Sequence, residues 1–247
     1  MTILIDKLKE FYNYSPDQIV SLLKEFFAID FFKKYPYLKN RASIVLSGSV
    51  SFGQYDKYSD LDIGIIFHSE KLFKKYKMDI LLNYKNKYLT LINLPVMIHG
   101  MNITYFKLID KTLSAWTEDW RLNEYSRALV ISDPQNNFKN LQKKYQWYPR
   151  KIYKEKVKYL FREATFQLFD RYANATKRGS QFYGQLAKMK ILRFLMNAIL
   201  LANRQYTVGD KHLEYAIKNF KNGEYYGRFK NDFVYRIRMY DSRHIWF

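Results

Sequence analysis

Leu46-Ser47-Gly48-Ser49-Val50-Ser51-Phe52-Gly53 and, a few residues on, Ser59-Asp60-Leu61-Asp62 form the most informative stretch of the chain. The apolar run Ala42 to Leu46 reads as a buried strand leading into Gly48-Ser49. A glycine beside a small hydroxyl residue lets a phosphate approach the backbone closely, with N–H groups free to donate. Leu61 to Phe67 reads as the next strand, its apolar face broken by Asp62 and Gly64. Residues i and i+2 of a strand share a face, so Asp60 and Asp62 point the same way and can grip one or two divalent cations. Two such ions beside a phosphate-binding turn make a phosphoryl-transfer site. Taken alone, Gly48 to Gly53 reads as an ordinary turn and Asp60-x-Asp62 as a solvated strand edge. Their combination changes that reading. An unpaired carboxylate among Leu61, Ile63, Ile65 and Ile66 is costly, and a metal ion offsets the cost. The stretch is not a P-loop, because Gln54-Tyr55 stands where Lys-Ser/Thr is required, and the chain has no Gly-x-Gly-x-x-Gly.

On either side of this stretch the first half of the chain alternates helices and strands. Ser15-Pro16-Asp17-Gln18 is a helix start, with Ser15 as N-cap, Pro16 at N1 and Gln18 completing a capping box. Ile19, Leu22, Leu23, Phe26 and Phe27 follow at helical spacing, and Tyr35-Pro36 ends the helix. Ser69 to Lys87 reads as a surface helix, Val96 to Leu108 as a strand with a bend at Gly100, Leu113 to Tyr125 as a helix and Ala128 to Ile131 as a last short strand. Asp133-Pro134 breaks the chain. Lys151 to Lys177 reads as one long helix ended by Arg178-Gly179-Ser180, with Ser180 a candidate cap for the next. Gln181 to Asn203 is a second helix and Gly209 to Lys221 a third, while Arg228 to Phe247 suits helix or strand. The expected architecture is α+β: a mixed sheet with flanking helices over residues 1–140, then an all-helical domain over 141–247, with the boundary near Asp133 to Pro149.

Composition bounds the function. The 247 residues include no cysteine, which excludes a disulfide scaffold, a thiolate zinc site and a thiol nucleophile. Four histidines argue against a multi-histidine metal cluster. Met1 to Lys9 lacks the continuous apolar core of a secretory signal. Ile191 to Ala202 contains Arg193 and Asn197 and is too short to span a bilayer. A cytoplasmic protein with no membrane partner is expected. The formal charge of +19 favours anionic partners such as nucleotides or nucleic acid and disfavours cationic substrates. A lysine-rich solvated surface accounts for it as well.

Gly48-Ser49, Gly53 and Ser59-Asp60-Leu61-Asp62-Ile63 resemble the signature of the polymerase-beta-type nucleotidyltransferase superfamily. The wider layout is similar to the two-domain antibiotic-type bacterial members. The resemblance implies transfer of a nucleoside monophosphate from an NTP, ATP being the commonest, to a hydroxyl of an acceptor, with release of pyrophosphate. Gly48, Ser49, Ser59 and Lys211 would hold the triphosphate, and Asp60 and Asp62 would bind Mg²⁺ or Mn²⁺. The superfamily usually adds a third carboxylate on a later strand. Aligning Val96 to Leu108 puts Asn102 there, with Thr104 two residues on, while Asp79 and Asp110 fall at helical positions outside it. An Asn ligates through its carbonyl oxygen but brings no charge and cannot act as a base. A catalytically impaired relative that binds nucleotide or nucleic acid is therefore the alternative reading.

Other residues carry weaker expectations. Glu163 and Asp170 read as solvated helix positions before they read as bases from the second domain. His99 reads as a hydrogen-bonded structural histidine. Lys143, Lys144, Arg150, Lys151, Lys154, Lys156 and Lys158 alternate with Tyr145, Trp147, Tyr148 and Tyr153. That pattern suits nucleic acid through phosphate contacts and stacking, or a helix whose aromatics pack inward, which is preferred. The acceptor stays open among a small molecule, RNA and a protein side chain.

Overall fold

A computed structural model of the chain describes residues 1–102, 120–146, 148–203, 205–209, 213 and 215–216, with only the backbone described at 102, 120, 121, 150 and 151. It divides into two compact units, Met1–Trp147 and Tyr148–Phe247. The first is a mixed sheet with helices and the second is helical where described, which meets the α+β expectation.

In the first unit α1 (Thr2–Lys9) precedes α2 (Pro16–Phe26), which continues through a wider π-helical turn (Phe27–Phe31) and one more α turn (Phe32–Lys34). The capping box forms as the sequence requires. Ser15 N–H donates to Gln18 Oε1 at 2.8 Å, and Gln18 N–H donates to Ser15 Oγ at 3.4 Å. Ile19, Leu23, Phe26, Phe27 and Phe31 are buried against the sheet strands. Burying each such side chain favours the fold by about 1.5–3 kcal/mol.

The sheet comprises β1 (Ala42–Ser47), β2 (Leu61–Phe67), β3 (Val96–Asn102) and β4 (Leu129–Ser132), in the order β3-β2-β1-β4 among the described residues. β1 pairs antiparallel with β2 and with β4, and β2 pairs parallel with β3. The two segments expected as buried strands are the two central ones. Every residue of β1 is buried. On β2 the residues Leu61, Ile63, Ile65 and Phe67 enter the core with the helices, so the alternate residues Asp62, Gly64 and Ile66 lie on the other face. Between β1 and β2 a single helical turn, α3 (Gly48–Ser51), reverses the chain.

The lysine-rich surface helix is α4 (Glu70–Asp79), prolonged by a π-helical stretch (Ile80–Leu89). Ser69 Oγ caps it by accepting from Leu72 N–H. Tyr84 and Tyr88 on this stretch donate their hydroxyls to the two oxygens of Asp30 on α2, at 2.6 and 2.8 Å. Burial and this carboxylate push the Tyr88 phenol up to about 12. α5 (Trp120–Arg127) and α6 (Asn137–Lys144) flank β4 in sequence. Residues 103–108 of the expected long strand and 113–119 of the expected helix lie outside the described residues.

The second unit contains α7 (Arg150–Phe166), continued by a π-helical turn (Gln167–Tyr172) and Ala173–Lys177, and then α8 (Gln181–Ala202). Gly179 supplies the left-handed residue of the reversal, at φ +65°. Ser180 is the N-cap of α8 but makes no side-chain capping bond. Ala164, Tyr172, Ala187 and Ile191 form the core between the helices. At Gly184 a Cβ would meet Tyr172 and Ala175 at ordinary van der Waals distance, so the packing there has room for a methyl group. The segments expected over Gly209 to Lys221 and Arg228 to Phe247 lie wholly or largely outside the described residues. Among the described residues no helix is long and apolar enough to cross a membrane.

Candidate active site

The antiparallel register of β1 and β2 places Ser47 opposite Asp62. Gly48 therefore follows directly beside the carboxylate. Gly48 has φ +66°, and a Cβ built on it would overlap Asp62 Oδ2. The glycine is thus required twice, by the backbone angle and by the carboxylate it accommodates. Ser47 Oγ donates to the Asp62 carbonyl at 3.4 Å, and Ser51 Oγ donates to the Gly48 carbonyl at 2.8 Å. These bonds fix the turn from both ends.

Ser49 is 2% exposed, and its Oγ makes no hydrogen bond among the described residues. A buried hydroxyl without a partner costs about 1–3 kcal/mol, a cost that an acceptor or donor brought to the turn would offset. Val50 is buried beneath it and closes the turn onto the core.

The loop before β2 is shaped to present Asp60. Asp56 N–H donates to Ser59 Oγ at 3.1 Å, Ser59 Oγ donates to Asp56 Oδ1 at 3.2 Å, and Tyr58 N–H donates to the same oxygen at 2.9 Å. The Ser59 hydroxyl is therefore engaged within the loop, apart from the turn that holds Ser49. Tyr55 anchors the loop by donating to the Tyr14 carbonyl at 2.7 Å and stacking on Phe11. Leu61 N–H donates to the Pro95 carbonyl at 2.8 Å and starts the strand. Asp60 is half-buried and makes no hydrogen bond or ion pair among the described residues, so its carboxylate is available.

The parallel register of β2 and β3 revises the third position. Met97 is opposite Asp62 and His99 opposite Gly64, whereas Asn102 is opposite Phe67 at the far end of the strand. The structure thus does not bring Asn102 to the Asp60-Asp62 pair. Alternation puts Met97 and His99 on the Asp62 face. His99 Nε2 lies 3.6 Å from Asp62 Oδ1, with 51% of its side chain exposed. This is ion-pair distance, too long for a hydrogen bond, so His99 borders the site and is not the hydrogen-bonded structural histidine expected. The sequence signal that points to Asn102 is the alignment of the Val96 to Leu108 pattern with the superfamily's third position. The missing information was the tertiary offset between β2 and β3, which slides the alignment toward the strand's start.

Among the described residues no group of three His, Asp or Glu side chains is disposed to hold a metal ion. Two carboxylates suffice for Mg²⁺ when substrate phosphates complete its coordination. Asp60 and Asp62 fit that role by donor chemistry, and the unpartnered Ser49 hydroxyl fits a phosphate beside it. Lys211 lies outside the described residues. In the second unit Asp170 is engaged locally, with Arg171 Nε at 3.2 Å and Asn174 Nδ2 at 3.3 Å. Tyr145 and Tyr148 are buried, which removes two of the interleaved aromatics from the reach of a base.

A polar cluster that the sequence did not suggest sits at the other end of β1. Ser43 Oγ donates to Asp133 Oδ1 at 2.7 Å and lies 2.8 Å from His68 Nε2, while Asn137 Nδ2 is 3.1 Å from His68 Nδ1. The carboxylate touches the serine and not the histidine, and Ser43 is fully buried. The cluster ties β1, β2 and the start of α6 together and is not a nucleophilic triad.

Residues 28–114 match the family described as nucleotidyltransferase domain, and residues 116–213 match a domain of unknown function (DUF4037). No curated protein matches the chain. A solved structure, a nucleotidyltransferase-like protein from Exiguobacterium sibiricum, is similar over 74% of this chain at 12% identity, with a TM-score of 0.41. The chain spans 59% of that protein's length. The Gly48-Ser49 turn after β1 and Asp60-x-Asp62 at the start of β2 both lie within the segment that matches the nucleotidyltransferase domain, and the segment after it matches the domain of unknown function.

Proposed function

We propose that the protein transfers a nucleoside monophosphate from an NTP to a hydroxyl of an acceptor, with Mg²⁺ or Mn²⁺ held by Asp60 and Asp62. The observation that carries this reading is the buried, unpartnered Ser49 hydroxyl beside a glycine turn that cradles the Asp62 carboxylate. Asp60 and Asp62 would hold the cation, which would supply charge neutralisation at the phosphates. Ser49 and the Gly48 turn orient the triphosphate, and Asp62 stands between that turn and β3. The acceptor oxygen forms a bond to the α-phosphorus, the bond from that phosphorus to the α,β-bridging oxygen breaks, pyrophosphate leaves, and the hydroxyl proton passes to solvent water. Attack and departure are roughly in line. ATP as donor and the cytoplasm as location belong to the same reading. Lys211 is retained as a triphosphate contact only by its resemblance.

A second reading is favoured by one observation. The positions facing Asp62 from β3 are Met97 and His99, neither a carboxylate. A protein that binds Mg·NTP without turning it over has this arrangement as well. Incubation of the protein with α-³²P-labelled NTPs, Mg²⁺ and a cellular small-molecule extract separates the two. Transfer gives an extract-dependent labelled product and an equal amount of pyrophosphate. Binding without turnover gives retained NTP and no pyrophosphate. Cleavage to a diphosphate and free phosphate contradicts nucleotidyl transfer.

A further inference from the structure

The Asp62 carboxylate has two sides. Oδ2 lies over Gly48 on the β1 side, and Oδ1 faces His99 on the β3 side. On the β3 side a cleft of about 510 Å³ opens, lined by Lys77, Leu81, Lys85, His99, Glu124 and Tyr125 among others. That volume belongs to small-molecule sites, which run from about 300 to 1,000 Å³. If the triphosphate occupies the Gly48-Ser49 side, an in-line transfer brings the acceptor from the opposite side, toward His99, which lines this cleft.

The charges in the cleft identify what it accepts. Lys77, Leu81 and Lys85 follow one another on successive turns of α4 and its extension, so two ammonium groups and an apolar side chain share a stripe. Both lysines are half-buried, and neither forms an ion pair among the described residues. Lys85 Nζ instead donates to Met97 Sδ at 2.9 Å. A thioether is a weak acceptor, and Met97 is the residue paired with Asp62. A strong cationic donor is therefore held next to the reaction centre without an anion. Lys74 on the same helix contrasts with it, being exposed and paired with Glu70 at 2.7 Å. Gly100 lies on the face of β3 opposite His99, where a Cβ would press on Lys77 Cγ at 3.3 Å, so Lys77 lines the cleft from around the edge of the strand.

Resting on the nucleotidyl-transfer reading, we infer that the β3 cleft is the acceptor pocket and takes a small hydroxyl compound bearing a phosphate monoester or a carboxylate. The anionic group pairs with Lys77 and Lys85, the carbon skeleton lies against Leu81 and Tyr125, and the hydroxyl reaches the Asp62 side. A polycationic acceptor is disfavoured there, since Lys77, whose ammonium lies over the Phe73 ring, and Lys85 outnumber the one carboxylate of the lining, Glu124.

The test uses the full chain, Mg²⁺ and a saturating α,β-methylene analogue of the best-bound NTP. Glycerol 3-phosphate and glucose 6-phosphate are titrated by calorimetry beside glycerol and glucose. A phosphorylated compound is expected to bind at least about tenfold more tightly than its neutral parent. Lys77→Met and Lys85→Met should each erase that preference while leaving the affinity for the NTP analogue within about twofold, with Lys74→Met as a control that changes neither; tenfold corresponds to one charge-assisted contact. Equal binding of phosphorylated and neutral members overturns the proposal. So does a loss of NTP-analogue affinity in the lysine variants, which would assign the lysines to the triphosphate. Failure of the wild type to bind any NTP analogue would remove the nucleotidyl-transfer reading itself, and the acceptor pocket with it.

Discussion

The carboxylate of Asp62 fills the space that a Cβ on residue 48 needs, and Gly48 itself holds φ +66°. Gly48→Ala is therefore expected to lose about 1–3 kcal/mol of stability, from backbone strain and from the displaced carboxylate. The cost of the collision should shrink in an Asp62→Ala background, because the obstructing group is gone. A double-mutant cycle by urea denaturation measures this coupling. Strictly additive effects would show that residue 48 and Asp62 do not share the space.

Ser49→Ala separates stability from binding. The Ser49 hydroxyl is buried and unpartnered, so its removal relieves a desolvation cost and should leave the denaturation midpoint unchanged or raise it. The same change should weaken Mg·NTP binding by about tenfold or more, since a hydrogen bond to a charged phosphate is lost. A variant that is destabilised and binds nucleotide normally would mean that the hydroxyl serves the fold.

His68 gives a pH dependence of known sign. Burial holds its pKa below the ordinary histidine value. The neutral ring fits its neighbours: Nδ1 accepts from Asn137, Nε2–H donates to Ser43 Oγ, and the Ser43 hydroxyl donates to Asp133 Oδ1. The unfolded chain binds a proton near the ordinary value of about 6.5, and the folded chain only at lower pH. Between those two points the unfolded state carries more protons, so stability falls as the solution is acidified below about pH 6.5. Denaturation midpoints measured from pH 7.5 to 5 should show this decline, and His68→Gln should flatten it. An unchanged slope in the variant would assign the decline to other groups.

Much of the first unit is written locally in the sequence. Ser15, Pro16 and Gln18 specify a helix start through bonds within one turn, and that start forms as expected. Leu61 to Phe67 marks β2 to the residue, because its core-facing positions are uniformly apolar and its two departures, Asp62 and Gly64, share the other face. Gly48 and Asp62 come together because one short connection leaves β1 and β2 adjacent and antiparallel. What local pattern does not contain is the offset between strands that are distant in sequence. β3 pairs with β2 across a long helical crossover, and only packing sets the register that brings His99, and not Asn102, toward Asp62. The same holds for the bonds of Tyr84 and Tyr88 to Asp30, which join residues distant in sequence. Ser59 matched a signature, yet its hydroxyl closes the loop that presents Asp60. The Ser43-His68-Asp133 cluster joins three segments far apart in the chain, and none of them carries a recognisable spacing.

The most direct test of the Asp60-Asp62 site is calorimetric titration of each NTP, with and without Mg²⁺, into the wild type and into Asp62→Asn. A thermal melt of both proteins confirms that the variant stays folded. The account predicts Mg²⁺-dependent binding of at least one NTP to the wild type, and its loss in a folded Asp62→Asn. Metal-dependent binding of equal strength in the two proteins would contradict it.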